Sequence, residues 1–315
     1  MNVKAQRQEL RLAGFDPDRM AGLLSATRLE HYILAPGACD VDHQHWSCGD
    51  VSVDTGRYSF PVRILGEFPR DRVSIGYMRE LSEPSWVNGY VVDQSTLELY
   101  PAGCELNYRG ARRGRWVAIE VLETRLQEAA IRHLGRELHL PWREVVSFPL
   151  PTGLRRELDW RLRILTSAEF VQTPAVEGFL AVLCMVLAHL HPDQAEGLMH
   201  RASRRLNLLE RADSHLRSRI RQGRGARGLA KDLHVSERTL QRHFCQAYGV
   251  SPNEWARCLA LHGVRHRLRL AKRNGLTVEE VARAAGFRHL GRFSGYYRDL
   301  FGELPSVTLG SNGMG

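Results

Sequence analysis

The sequence contains no cysteine pair at zinc-ribbon spacing and no apolar run long enough to cross a membrane. Its six cysteines stand singly, at positions 39, 48, 104, 184, 245 and 258, which argues against a structural zinc site or a disulfide framework. The most apolar stretch runs only from Phe179 to Ala188, whereas a spanning helix needs about 20 apolar residues. The first eleven residues lack the apolar core of a secretion signal. We therefore expect a reduced, cytoplasmic protein that makes no use of a membrane.

Familiar catalytic patterns are missing as well. Neither a Ser/His/Asp arrangement nor a nucleophile elbow is visible in the chain. We therefore predict that the protein is not an enzyme and carries no cofactor. The hydrophobic content of 43% and the charged content of 25% are those of an ordinary globular protein, and 315 residues are enough for two domains.

Charge is distributed unevenly along the chain. Residues 1–200 contain 22 Lys and Arg against 26 Asp and Glu, a net charge of −4. Residues 201–315 contain 22 Lys and Arg against 9 Asp and Glu, a net charge of +13. A strongly basic part joined to a slightly acidic one indicates a polyanionic partner for the basic part.

Within the basic part, one short pattern occurs twice. The first copy reads Phe244-x4-Gly249-x2-Pro252, and the second reads Tyr297-x4-Gly302-x2-Pro305, 53 residues further on (position 297 against 244). Each copy follows a short segment with the pair Leu229-Ala230 or Val281-Ala282. A repeated short helix, tight turn and second helix is the arrangement of a duplicated helix-turn-helix, whose second helix enters the major groove of DNA.

The second helix of the first copy has one apolar face and one polar face. Leu240, Phe244 and Tyr248 recur every four residues and should pack inward. Ser236 is suited to cap the start of this helix, and Gly249 is suited to end it. The residues predicted to contact DNA from the polar side are Glu237, Arg238, Gln241 and Arg242. Arginine can contact guanine or phosphate, and glutamine can pair with adenine.

The second copy differs on its outward face. Phe293, Tyr297 and Phe301 form its inward stripe. The residues predicted to contact DNA are Arg288, His289, Gly291, Arg292, Gly295 and Arg298. The two glycines permit close approach to the DNA backbone but weaken the helix by roughly 1 kcal/mol each relative to alanine. We therefore expect fewer base contacts here, and more phosphate contacts from the arginines. A long helix, predicted from Asn253 to Leu270, should act as a rigid spacer between the copies.

The repeat closely resembles the DNA-binding domain of the AraC/XylS family of bacterial transcription regulators. The motifs that carry the resemblance are Leu229-Ala230, Val235-Ser236-x-Arg238-x-Leu240-x-Arg242-x-Phe244, Gly249-Val-Ser-Pro252, Val281-Ala282-x3-Gly286-Phe287, Phe293-Ser294, Tyr297 and Phe301-Gly302-x2-Pro305. The resemblance implies two helix-turn-helix units joined by a long helix. It also implies binding to double-stranded promoter DNA and, usually, activation of transcription together with RNA polymerase.

The first two hundred residues predict a different fold. Short β-rich segments punctuated by Gly, Pro and Asp occupy about 29–123, and helical periodicity follows over about 124–191. This part is similar to the cupin-like β-barrel or sandwich domains of many family members, which bind a small-molecule effector or form homodimers. The whole chain is thus predicted to be an α+β two-domain protein. Its parts are an effector or dimerisation domain at 1–200, a linker at 201–207 and an all-α DNA-binding domain at 208–309.

Aromatic and polar side chains of the β-rich part are candidates for an effector pocket, because such pockets combine aromatic walls with a few polar groups. The candidates are Trp46, Tyr58, Tyr77, Trp86, Glu105 and Asn107. The alternative for each aromatic residue is a place in the β core.

One feature favours a metal-dependent enzyme. His43 and His45 lie two residues apart, so on a strand they would point the same way and could chelate one metal ion. The alternative is that both are ordinary strand residues. Three functions therefore stay open: an effector-controlled regulator, a metal-dependent cupin enzyme tethered to DNA, and a regulator whose first domain only dimerises.

Overall fold

The structure is a computed structural model, and it describes residues 2–13, 28–35, 39–88, 90–110, 112–140, 145–167, 170–189, 192–271 and 275–310. The chain divides into two compact units. The first consists of Met1–His31, Asp40–Ser59 and Ile64–Ala202; the second consists of Tyr32–Cys39, Phe60–Arg63 and Ser203–Gly315. No helix within the described ranges is long and apolar enough to cross a membrane.

The first unit is built on two large open sheets. The seven-stranded sheet contains β2 (Gln6–Ala13), β4 (Asp40–Cys48), β5 (Val51–Tyr58), β7 (Arg72–Glu80), β10 (Thr96–Tyr100), β12 (Arg115–Leu122) and β13 (Val146–Pro149), in the order β13-β10-β7-β12-β5-β4-β2. The five-stranded sheet contains β3 (Arg28–Ile33), β6 (Val62–Glu67), β8 (Ser85–Val87), β9 (Tyr90–Val92) and β11 (Glu105–Gly110), in the order β3-β6-β11-β8-β9. A two-stranded sheet pairs β1 (Asn2–Lys4) with β14 (Phe170–Gln172).

Alternation along the strands gives the seven-stranded sheet two different faces, since successive side chains point to opposite sides. One face is apolar, with Val53, Ile75, Leu97 and Ile119 almost fully buried. It packs in one hydrophobic cluster with α1 (Glu123–Leu134), α2 (Thr152–Ser167) and α3 (Thr173–Ala188). The apolar face of α3 is therefore buried within this cluster.

The opposite face of the same sheet carries a row of polar and small residues. Cross-strand pairing places five residues in one transverse row: Glu98, Gly76, Ala118, Asp54 and His45. This row lies on the side away from the three helices, because its members alternate with the apolar residues of the core.

The second unit is helical. Its helices are α4 (Pro192–Arg221, which enters this unit at Ser203), α5 (Leu229–Asp232), α6 (Glu237–Tyr248), α7 (Pro252–Ala271), α8 (Val278–Ala284), α9 (Leu290–Phe301) and α10 (Pro305–Gly310). The pairs α5–α6 and α8–α9 are the two predicted helix-turn-helix copies, and α7 is the predicted long helix between them. Residues 201–207, predicted as a linker, lie inside α4. The predicted α+β architecture is confirmed, with open sheets in place of a closed barrel.

Candidate nucleic-acid interface and a cavity between the sheets

Helix α6 begins and ends at the cap residues that the sequence predicts, Ser236 and Gly249. The Ser236 hydroxyl accepts a hydrogen bond from the backbone N–H of Thr239 at 3.1 Å and so caps the first turn. At the other end, Gly249 has φ 68° and donates its N–H to the carbonyl of Cys245. Leu240 and Phe244 are fully buried. The inward stripe and both caps therefore fix which side of the helix faces outward.

The outward side of α6 offers hydrogen-bond donors to solvent. Arg238, Gln241 and Arg242 are exposed, and no described residue forms an ion pair with either arginine. Glu237 is exposed in the first turn. A guanidinium held on a rigid helix without a carboxylate partner is free to bind guanine or phosphate.

Helix α9 has the same inward packing but a weaker start. Phe293 and Tyr297 are fully buried, whereas His289, at the N-cap position, makes no side-chain cap hydrogen bond. The other exposed predicted residues around this helix are Arg288, Gly291, Arg292 and Arg298, and Gly295 is half-buried. A β-carbon added at Gly291 or Gly295 would meet no protein atom within 4 Å. The glycines are therefore not needed for packing in the described part of the unit.

Other arginines of the second unit are committed to structure. Arg217 pairs with Asp213 at 2.9 Å, and Arg283 pairs with Glu279 at 2.7 Å. Another ion pair joins Arg265 to Glu303. Such arginines hold the fold, whereas those on the outward side of α6 and α9 do not.

A buried arginine supports the first copy, and no local pattern in the sequence predicts it. Arg63 is fully buried; its Nη1 donates to Oδ1 of Asp213 at 2.8 Å, and its Nη2 donates to the hydroxyl of Tyr248 at 2.9 Å. Its guanidinium lies 3.8 Å from the ring centroid of Tyr248 and 4.3 Å from that of Trp255. Nε1 of Trp255 also donates to Asp213, at 2.6 Å.

This network neutralises the buried charges at the end of α6. Burial alone disfavours the ionised Asp213, but Arg63 and Arg217 outweigh it and hold the pKa of the carboxyl below its usual range. Tyr248 is the last aromatic residue of the inward stripe. The network therefore fixes α6 from its C-terminal end.

In the first unit, a cavity of about 80 Å³ lies between the two large sheets. Its aromatic and imidazole lining comes from His31, Tyr58, Phe68, Tyr100, Tyr108 and Trp116. Aliphatic residues such as Leu29, Ile64 and Leu106 complete the walls. None of the described residues that line it is a lysine or an arginine. Apolar and aromatic walls with a few polar groups are typical of a small-molecule site.

Three of the rings lie over glycines. A β-carbon on Gly56 would stand 2.3 Å from Trp116, one on Gly110 would stand 2.8 Å from Tyr108, and one on Gly76 would stand 3.1 Å from Tyr100. Because each glycine lacks a side chain, the neighbouring ring can lie flat against the strand. The wall of the cavity is thus made of aromatic faces.

Glu98 is the one acidic residue among the described residues lining the cavity. It is 3% exposed, and its Oε1 accepts a hydrogen bond from the Thr96 hydroxyl at 2.9 Å. Burial raises the pKa of Glu98 to about 8, so the carboxyl is largely protonated at neutral pH. Burial also lowers the pKa of His31 to about 4, which keeps this imidazole neutral.

The residues predicted for an effector pocket lie in different places. Tyr58 lines the cavity, and its hydroxyl lies 3.2 Å from Nε2 of His31. Tyr77 contributes to the wall, but its hydroxyl donates to Asp159 of α2, so its ring faces the helices. Trp46 packs in the core cluster on that same side. Like Trp46, the remaining predicted residues Trp86, Glu105 and Asn107 lie outside the lining of the cavity.

The two histidines predicted as weak metal ligands bind a carboxylate in the structure. Nε2 of His43 and Nδ1 of His45 each lie 2.9 Å from Oδ1 of Asp54. The hydrogen bond to Asp54 raises the pKa of His45. No group of three or more His, Cys, Asp or Glu in the described ranges is arranged to hold a metal ion. The imidazoles and Asp54 form a buried polar cluster beside Trp116.

Comparison with known proteins adds the following. A family model described as a helix-turn-helix domain matches residues 229–311. The XylDLEGF operon transcriptional activator 2 of Pseudomonas putida is 35% identical over 105 residues, which cover 33% of this chain and 67% of that protein. Another XylDLEGF operon transcriptional activator of P. putida is 34% identical over 100 residues, 32% of this chain and 31% of that relative's length. The solved structure of the AraC-like transcriptional activator CuxR is 13% identical, with a TM-score of 0.39 over 88% of this chain and 100% of that one.

Proposed function

We propose that this chain, which belongs to the AraC/XylS family of transcription regulators, binds a specific promoter sequence through both helix-turn-helix copies. The observation that carries the proposal is the outward side of α6. There, Arg238, Gln241 and Arg242 are exposed and lack ion-pair partners among the described residues, on a helix fixed by two caps and a buried stripe.

The two copies have different roles in this proposal. Arg238, Gln241 and Arg242 read base edges in one major groove, because arginine and glutamine suit guanine and adenine. Around α9 the arginines Arg288, Arg292 and Arg298 bind phosphates in the next groove, since glycines replace the side chains between them. The rigid helix α7 sets the spacing, about one turn of DNA.

Control of this binding by a small molecule is a further part of the proposal. The cavity between the sheets of the first unit supports it, since it is apolar and lined by aromatic side chains. From family membership we also propose a second copy of the chain and RNA polymerase as partners, and a cytoplasmic location.

Selection of bound sequences from a random pool of duplex DNA, with the full chain, tests the DNA-binding proposal. We expect a motif of two half-elements whose centres are about 10 base pairs apart. A single short element would contradict groove binding by α9. Failure to enrich any sequence would contradict the proposal as a whole.

Variants then assign the motif to residues. Arg242→Ala should relax the preference at one base position, whereas Arg163→Ala removes the same charge from α2 in the first unit and should leave the motif unchanged. Both changes place alanine in a helix at a solvent-facing position, so helix propensity is retained. An unaltered motif with Arg242→Ala would overturn its assignment to base reading.

A further inference from the structure

The cavity between the sheets combines a cage of aromatic faces with one buried carboxyl group. Rings of Tyr58, Phe68, Tyr100, Tyr108 and Trp116 line it, and Glu98 is the acid at its floor. The ring centroids of Phe68 and Tyr100 are 4.6 Å apart, and those of Tyr58 and Trp116 are 6.1 Å apart in a stacked arrangement. The faces of such rings carry negative electrostatic potential.

We propose that this cavity binds a small organic cation, an amine or alkylammonium group on an apolar body, with the cationic group at Glu98. The inference rests on the proposed function in taking the cavity as the effector site, and it specifies the chemical class of the effector. Aromatic faces around one carboxylate are the arrangement that attracts an ammonium group out of water.

The lack of positive charge around the cavity disfavours an acidic ligand. A carboxylate or phosphate entering it would find no lysine or arginine among the described lining residues to neutralise it. The imidazole of His31 stays neutral because burial lowers its pKa to about 4. An anion would therefore be desolvated without a positive charge to compensate it.

Arg155 does not neutralise Glu98 from inside the cavity. Its Nη2 donates to the carbonyl of Met78 at 2.5 Å, and its guanidinium lies 5.3 Å from the ring centroid of Tyr77. The Tyr77 ring faces α2, on the other side of the sheet from Glu98, since Glu98 pairs with the neighbouring Gly76. Arg155 thus acts on Glu98 only from a distance.

Burial keeps Glu98 protonated until a cation enters. Burial is the main reason for its pKa of about 8; Asp93 adds to it, whereas Arg155 and the Thr96 hydroxyl act in the opposite direction. The pKa values of Tyr100 and Tyr108 are raised, mainly by burial and also by the neighbouring Glu98. An ammonium group beside the carboxyl stabilises its ionised form. Binding should therefore release one proton from Glu98 to the solvent while the ligand keeps its own charge.

Calorimetric titration of the full chain with three probes of one shape tests the inference. The probes are 4-phenylbutylamine, 4-phenylbutanol and 4-phenylbutyrate, which at pH 7 are a cation, a neutral molecule and an anion. We expect the amine to bind at least about tenfold more tightly than the alcohol. Titrations of the amine at pH 7 in two buffers of different ionisation enthalpy should show release of most of one proton.

Glu98→Gln removes the charge with little change of shape. It should weaken amine binding about tenfold or more, abolish the proton release and leave alcohol binding within about twofold. Glu120→Gln is the matched control, because Glu120 is also buried on this sheet, with a pKa raised by burial to about 7, but lies outside the described lining of the cavity. It should leave amine binding unchanged. The proton release of the unaltered protein tests the inference even if Glu98→Gln fails to fold.

Several outcomes would overturn the inference. They are preference for the alcohol or the acid, amine binding without proton release, or no saturable binding of any probe. Binding of promoter DNA by the same preparations is measured separately. Loss of the cation preference with intact DNA binding therefore rejects the cation class and leaves the regulator proposal standing.

Discussion

The two helix-turn-helix copies have the same turns but opposite capping. In the first copy the outer helix α6 is capped by Ser236, whereas the short helix α5 begins at Gly228 without a side-chain cap. In the second copy α8 begins with a full capping box between Thr277 and Glu280, whereas α9 begins at His289 without one. The first copy therefore stabilises the helix that presents donors, and the second stabilises the helix behind it.

The inward ends of the copies differ in the same sense. At the end of α6, the guanidinium of the buried Arg63 lies 3.8 Å from the ring centroid of Tyr248 and donates a hydrogen bond to its hydroxyl. At the corresponding place in α9, the guanidinium of Arg265 lies 4.8 Å from the ring centroid of Phe301, which has no hydroxyl to accept a hydrogen bond. The first copy is thus held by a buried network around Asp213. The second is held by ring contacts and by the pair of Arg265 with the partly exposed Glu303. We therefore expect α6 to be held more rigidly than α9. This difference fits the proposed base reading by α6 and the proposed phosphate binding by α9.

The largest expected effect comes from removing the carboxylate of that network. Asp213→Asn leaves Arg63 buried beside a neutral amide and should lower the free energy of unfolding by about 3–5 kcal/mol. Glu303→Gln, the matched change in the second copy, affects a partly exposed pair with Arg265 and should lower it by only about 1 kcal/mol. Chemical denaturation of both variants measures the difference. Equal losses would contradict a special role for the buried network.

The next effect concerns DNA. Arg242→Ala should weaken binding to the selected sequence by about 1–3 kcal/mol and relax specificity at one position. Arg292→Ala should weaken binding to all sequences alike and reduce the slope of log affinity against log salt by about 1. Fluorescence anisotropy over a salt series, with matched and mutated duplexes, separates the two. Loss of sequence preference with Arg292→Ala would place α9 among the base-reading elements.

The local features of both copies could be predicted from the sequence, because they depend on residues a few positions apart. Gly249 and Gly302 follow their helices by the same spacing, and both have a left-handed φ, 68° and 74°. The long helix between the copies was predicted within one residue at each end.

Features that depend on distant pairing could not be predicted in this way. Arg63 and Asp213 are 150 positions apart, and no local pattern distinguishes Arg63 from a surface arginine. Glu98 reaches the cavity only because β10 pairs with β7 in the register that places it opposite Gly76. Tyr77 and Trp46, one strand position from the cavity side, face the helices instead. The glycines that lie beneath aromatic rings could have indicated the wall of the cavity, but the sequence does not show which ring covers which glycine.

Lowering the pH should also affect the stability of the two copies differently. His262 packs edge-on against Phe301 of the second copy, with ring centroids 5.1 Å apart, and burial lowers its pKa to about 3. Because the folded pKa lies below the ordinary value of about 6.5, its contribution is complete above pH 6.5 and is lost as the pH falls toward 3. The loss is at most about 1.4 kcal/mol per pH unit.

Urea denaturation at pH 7, 6, 5 and 4 measures this dependence. His262→Gln should flatten the curve relative to the unaltered protein, since glutamine does not titrate but can still accept a hydrogen bond from the Ile33 N–H as Nε2 of His262 does. In the first copy, the lowered pKa of Asp213 makes its contribution to stability fall mainly below about pH 4, at the acid end of this range. Parallel curves for the two proteins would show that His262 does not set the acid dependence.

The smallest expected effect tests why the second copy has glycines at all. Gly291→Ala and Gly295→Ala meet no protein atom within 4 Å, so each should stabilise α9 by about 1 kcal/mol. If DNA approaches the backbone of α9, the same methyl groups collide with it and affinity falls while stability rises. Thermal unfolding and DNA titration of one preparation measure both quantities, with Gly153→Ala in α2 as a control that should leave DNA binding unchanged. A gain in stability at unchanged affinity would mean that α9 stands away from the DNA. The arginines beside the glycines would then have to reach the phosphates from a distance, and the comparison between the copies would become one between a reading helix and a tethering helix.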